Sequence, residues 1–77
     1  MRELAATARE HDAVTRAGSV LLDDGTLLHY DAAAFDAGRL RLLRSGQRVW
    51  LRLDGQPETI VAITLVSFDL PPAEGQP

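Results

Sequence analysis

The side chains equipped for recognition chemistry fall in three short stretches. In "TLLHYDAAAF" (26–35) an adjacent histidine and tyrosine close an apolar run. The His29 imidazole is able to stack on a nucleobase and hydrogen-bond, and Tyr30 offers a ring and a hydroxyl. The alternative is that Tyr30 packs into a small core with its hydroxyl at the rim, leaving His29 merely exposed. His11, with Arg9 and Arg16 close by in sequence, would enlarge such a surface and supply charge. The third stretch is "RVWLRL" (48–53). At a period of two, Arg48, Trp50 and Arg52 share one side of a strand, with the indole between two guanidiniums. That arrangement suits stacking on a base, holding a phosphate or packing against another protein. Equally, the arginine stems serve to shield the indole from water.

Catalytic and metal-binding patterns are missing. The sequence has no cysteine and only two histidines, far apart, so no thiolate site and no zinc site is expected. It shows no Ser-His-acid spacing, glycine-rich phosphate loop or paired carboxylate constellation, and Asp23-Asp24 reads as a turn. The chain is therefore not expected to be an enzyme or to carry a cofactor.

These residues must be positioned by a chain of 77 residues, enough for one domain. No apolar run approaches the roughly 18 residues of a membrane span, and no signal sequence is visible, so a soluble cytoplasmic domain is expected. Net charge is −3, but all eight basic residues are arginine, and five of them lie in the acid-free stretch from Arg39 to Arg52. That stretch is +5 and the remainder −8, which leaves room for a local basic patch within an acidic chain.

"GSVLL" (18–22), the turn "DDG" and "TLLHY" form a hairpin pattern. Alternation places Val20 and Leu22 on one face with Leu28, and Ser19, Leu21, Leu27 and His29 on the other. Asp31 is suited to cap a short helical turn that Phe35 pins to the core. "RLRLLRSG" reads as a loop or extended arm. "RVWLRL" alternates cleanly, with Val49, Leu51 and Leu53 inward. "TIVAITLVSF" is apolar on both faces, as a central strand or one at a barrel seam would be. Residues 1–12 fit either a short helix or a weak edge strand. Short strands at this spacing argue for a small all-β antiparallel barrel, since closing the sheet removes edges that so short a chain has no means to cover. The expected organisation is a flexible N-terminus over 1–5, a barrel over 6–68 and a disordered proline-rich tail over 69–77.

The order of the pieces resembles the bacterial cold-shock proteins, five-stranded OB-fold barrels. "RAGSVLLDDG" and "TLLHYDAA" stand where that family carries "GFGFI" and "VFVHFSA", and "LLRSGQRVWLRL" follows its leucine, "GQ" turn and alternating strand. Gly18 and Val20 match the first motif, but Ala17 and Ser19 replace its two phenylalanines. Leu27 replaces the exposed phenylalanine of the second motif, while His29 matches its histidine and Tyr30 its last aromatic. Glu10 and His11 occupy the place of a Trp-Phe pair.

The resemblance implies a degenerate single-strand nucleic-acid face, with Leu27, His29 and Tyr30 in an exposed row and His11 and Arg16 as lesser contacts. Family members stack bases on exposed rings, each stack contributing about 1–3 kcal/mol, so losing three rings removes on the order of 3–9 kcal/mol. Weak binding of single-stranded RNA or DNA is the first expectation. The second is a non-catalytic protein-interaction or self-association module, a homodimer included, that kept the barrel and uses Arg48, Trp50 and Arg52 as its contact surface.

Overall fold

The computed structural model describes residues 2–68. Five strands and one helix follow in order: β1 (Arg2–His11), β2 (Gly18–Leu22), β3 (Leu27–Tyr30), α1 (Ala32–Ala37), β4 (Arg48–Asp54) and β5 (Thr59–Leu65). They form one antiparallel sheet in the order β3-β2-β1-β4-β5, curled into a small barrel of the OB type. The expected all-β barrel with a short helix after the third strand is what the chain forms. The expected tail over 69–77 lies outside the described residues.

β1 is neither a helix nor an edge strand. Its first half, Arg2 to Thr7, pairs with β4, and its second half, Ala6 to His11, pairs with β2. The two halves diverge at a bulge, where the register skips Arg9 between Ala8 and Glu10. An inserted residue bends a strand and sharpens its twist, which lets one strand serve both walls of a barrel. β1 thus begins at Arg2, inside the stretch 1–5 read as an N-terminal extension: Leu4 sits opposite Leu51 against the core, and Arg2 pairs with Glu58 at 2.9 Å. Small residues make this central position possible, since Ala6 and Ala8 pack inside where larger ones would crowd the facing strands.

The core faces alternate as the sequence implies. Val20, Val49, Leu51, Leu53 and Ile63 are fully enclosed, with Leu22, Leu28 and Leu65 packed around them. Gly25, with φ of 92°, turns the β2–β3 hairpin, and the Leu22 N–H donates to the Thr26 carbonyl at 2.8 Å. A second bulge, at Val61 between the pairs Arg52–Ala62 and Leu53–Ile60, curves β5 towards β3. β3 and β5 share no ladder, and an opening lined by His29, Asp31, Ala33, Thr59 and Val61 marks the seam.

α1 plugs the end of the barrel beside this seam. Asp31 caps it, its Oδ1 accepting from the Ala34 N–H at 3.0 Å, and Ala34 and Phe35 point into the core. The helix ends at a tight contact. A Cβ on Gly38 would stand 1.5 Å from the carbonyl oxygen of Ile63, so only glycine lets the helix end rest on the β5 backbone. The left-handed residue that terminates the helix is then Arg39, with φ of 61°, one position after the glycine. Beyond it, Leu40 and Leu43 are buried and fasten the connection to β4, leaving Arg39, Arg41, Leu42 and Arg44 outside. Gly38→Ala should cost about 3 kcal/mol or more by overpacking, read as a lowered urea midpoint, whereas Ala37→Ser beside it should change stability by less than about 1 kcal/mol.

Candidate nucleic-acid interface

An open trough runs over the β1–β2 turn and the adjoining ends of β2 and β3, with Glu10, His11, Asp12, Ser19, His29 and Tyr30 among its walls. Asp12 organises the turn. Its Oδ1 accepts from the N–H groups of Val14 and Thr15 at 2.8 and 3.2 Å, and its N–H donates to the Ala17 carbonyl at 2.9 Å. Those donors favour the ionised form and hold the Asp12 carboxyl below its usual range. The turn places Arg16 in the left-handed region, and its guanidinium runs to α1, meeting Asp36 at 3.1 and 3.2 Å. Arg16 is thus engaged with the helix.

The expected row of Leu27, His29 and Tyr30 splits in two. Leu27 and His29 are exposed, with Leu27 opposite Leu21 and His29 opposite Ser19. Tyr30 is 4% exposed and belongs to the inner face. Successive strand residues point to opposite faces, so Tyr30 must share the direction of Leu28 and oppose His29. Its ring lies over Gly18, its register partner, where a Cβ would come within 2.5 Å of the phenol oxygen. The hydroxyl stands 2.6 Å from His11 Nδ1 and 3.4 Å from the Glu10 carbonyl.

His11 joins the same inner cluster. Its ring stacks on Phe35 with centroids 4.5 Å apart and lies nearly parallel to Tyr30 at 6.0 Å. Three of the rings near the trough therefore stack mainly on each other, and His29 is the exposed one. The hydroxyl of Ser19 presents the opposite situation: the residue is 2% exposed and its Oγ has no hydrogen-bond partner.

Arg48, Trp50 and Arg52 share one face of β4, as the alternation implies, but lie on a different part of the sheet from the trough, and Arg52 is buried where an outward contact residue was expected. Trp50 is half-buried between its register partners Ala5 and Thr64. Arg48 donates to Asp23 at 2.9 Å and to Thr7 Oγ1 at 3.0 Å, and Arg52 meets Glu3 at 2.9 Å. The Arg48 pair holds the Asp23 carboxyl below its ordinary range, because the neighbouring guanidinium stabilises its charged form. Arg9 likewise contacts Glu10. Among the described residues, the arginines without an acidic partner are Arg39, Arg41 and Arg44, all in the α1–β4 connection. Ser45 stitches that connection to the trough, its hydroxyl donating to the carbonyl of the bulged Arg9 at 2.6 Å, one residue before Glu10.

Among the described residues no group of three or more histidines, cysteines and carboxylates is arranged to hold a metal ion. No described helix is long and apolar enough to cross a membrane. Against family models, curated proteins and solved structures the chain finds no match.

The row Glu10–Ser19–His29 has the residue types of a nucleophilic triad but a different order. Glu10 lies opposite Ser19 on one side and His29 opposite it on the other. A triad needs its histidine between the serine and the acid, so that the acid orients the imidazole. Here the serine is in the middle.

Burial pushes the pKa of Tyr30 up to about 12 from an ordinary value of 10. A raised phenol pKa adds stability that is fully present below pH 10 and is lost as pH rises through 12. Because Tyr30 is the chain's one tyrosine, phenolate absorbance reports it alone. Titration of the folded protein should give a midpoint near 12, falling to about 10 in urea. Tyr30→Phe should abolish the signal and flatten the alkaline loss of stability.

Proposed function

We propose that this chain is a weak single-strand nucleic-acid binder that takes an RNA or DNA segment along the trough of an OB barrel. The observation that carries the reading is the position of the trough. It lies on the β1–β2 turn and the β2–β3 face, the surface on which OB folds take oligonucleotides, with the exposed His29 ring at its edge. Leu27 extends the contact along β3. The resemblance to cold-shock proteins agrees, and with it a bacterial, cytoplasmic setting and a role needing no cofactor.

Electrostatics sets the pose and the affinity. Glu10 and Asp12 line the trough, so phosphates are repelled from its floor and the bases face inward. The three arginines free of acids lie on the connection that Ser45 ties to the trough's edge, and they supply the phosphate contacts. One imidazole and three flexible cations give far less than a full aromatic platform, so a dissociation constant of about 0.1–1 mM is expected.

A second reading, self-association, rests on Leu21 and Leu27, cross-strand partners 41% and 42% exposed on the same outer face. Sedimentation separates the two. A concentration-dependent dimer that Leu27→Asp dissociates would favour association, whereas a monomer that shifts on adding oligonucleotide favours binding.

Titrating labelled protein with oligouridine at low salt should move the amide signals of Ala17, Leu27 and His29. His29→Ala should weaken binding by about fivefold or more. With three phosphate contacts, log K should fall against log salt with a slope of about −2, and replacing Arg39, Arg41 and Arg44 by alanine should flatten it. Unmoved signals at His29 with millimolar ligand would refute the reading.

A further inference from the structure

The outer face of the β1–β2–β3 meander carries a hydrogen-bonding row that stacking alone does not use. Glu10 stands opposite Ser19, and Ser19 opposite His29, and directly opposed residues in a ladder point to one face. Ser19 lines the trough, is 2% exposed and leaves its hydroxyl without a partner. A buried hydroxyl in that condition destabilises the free protein, since nearly all such groups in folded chains are satisfied. On one side of it the Glu10 carboxylate touches Arg9 through Oε1. On the other is the exposed His29 ring. Asp12, next along the trough, already spends Oδ1 on its own turn.

The lining is thus rich in acceptors, with one hydroxyl placed between a carboxylate and a ring. Such a surface rejects phosphates and carboxylates and complements the N–H edge of a heterocycle. Nucleobases differ in that edge. Guanine presents two adjacent donors, N1–H and the N2 amino group, beside the acceptor O6. Uracil presents one N–H between two carbonyls, which a carboxylate repels. Adenine and cytosine each offer one amino donor beside a ring-nitrogen acceptor.

We propose that Glu10, Ser19 and His29 form a base-edge subsite selective for guanine, a specificity that rests on the single-strand reading above. The Glu10 carboxylate accepts from N1–H and the N2 amino group, the Ser19 hydroxyl, uncovered by side-chain movement on binding, donates to O6, and the His29 ring covers the base. The subsite explains why a strand interior keeps a serine whose hydroxyl is unpaired in the free protein: the partner arrives with the ligand.

The test compares three ribonucleotide hexamers on the full chain by amide-shift titration: hexauridylate, the same hexamer with guanosine at the third position, and its inosine analogue, which lacks the N2 amino group. The guanosine hexamer should bind about 5- to 10-fold tighter than hexauridylate, with the inosine hexamer between them. Glu10→Gln should bring the ratio close to one. Ser19→Ala should raise Tm by about 4–8 °C, by removing the orphan hydroxyl, while weakening the guanosine hexamer selectively. Equal affinities with clear shifts at His29 would overturn the guanine subsite and leave the stacking face standing. No shift with any hexamer would remove both. A fall in Tm for Ser19→Ala would overturn the role given to its hydroxyl.

Discussion

The close approach of Tyr30 to Gly18 decides what the rest of this structure does. A phenol lies where a side chain would otherwise stand, with its hydroxyl on His11 Nδ1, and His11 stacks in turn on Phe35 of α1. The arrangement ties together both ends of the β1–β2 turn, the end of β3 and the helix that plugs the barrel. Burying an aromatic ring stabilises a domain by roughly 1.5–3 kcal/mol, a large share of the total in a chain this short. Rings committed in this way are withdrawn from solvent. The chain thus commits three of its rings to the barrel, and His29 is the ring beside the trough that stays exposed.

Much of the fold was legible because it rests on period two and on turn residues. The alternation of Val49, Leu51 and Leu53, the parity of Val20 with Leu28, the Asp31 cap and the Phe35 anchor all appear in the structure at the expected places. Parity alone also directs Tyr30 inward, two residues from Leu28. The exposed place given to it came from matching motifs, which carries residue types across without testing direction. β1 was illegible for a physical reason: Ala5, Ala6 and Ala8 contribute little amphipathic signal, and the bulge at Arg9 interrupts what remains. The closeness of Gly38 to Ile63 depends on tertiary packing 25 residues away, which no local pattern encodes.

For the residues singled out in the sequence, the structure shows allegiances that no local pattern carries. His29, Leu27 and His11 lie at or beside the trough, but Arg16 belongs to Asp36, Arg48 to Asp23 and Arg52 to Glu3. These pairs span 20 to 49 positions in sequence, so composition showed the charges without showing who neutralises whom. Ser19 was visible only as a lost phenylalanine. Its significance, a buried hydroxyl without a partner, exists only once the ladder places it between Glu10 and His29.

The distribution of ion pairs explains how an acidic protein keeps a usable basic element. Each paired arginine with a distant partner joins two elements: Arg2 to the β4–β5 turn, Arg52 to β1, Arg48 to the β2–β3 turn and Arg16 to α1. The exposed pairs of Arg2, Arg16 and Arg48 each add at most about 1 kcal/mol, so their larger effect is on where charge remains, while Arg52 is itself buried against Glu3. With those arginines paired, the arginines without an acidic partner among the described residues are confined to the α1–β4 connection. Arg39, Arg41 and Arg44 alternate there with the buried leucines 40 and 43, so the loop is held down by apolar contacts and its cations face water. For the single-strand binding proposed above, an acidic trough beside a pinned cationic loop would favour a pose with bases in the trough and phosphates on the loop. In that proposal charge would set the orientation of the strand, and base identity would fall to the few polar groups on the trough floor.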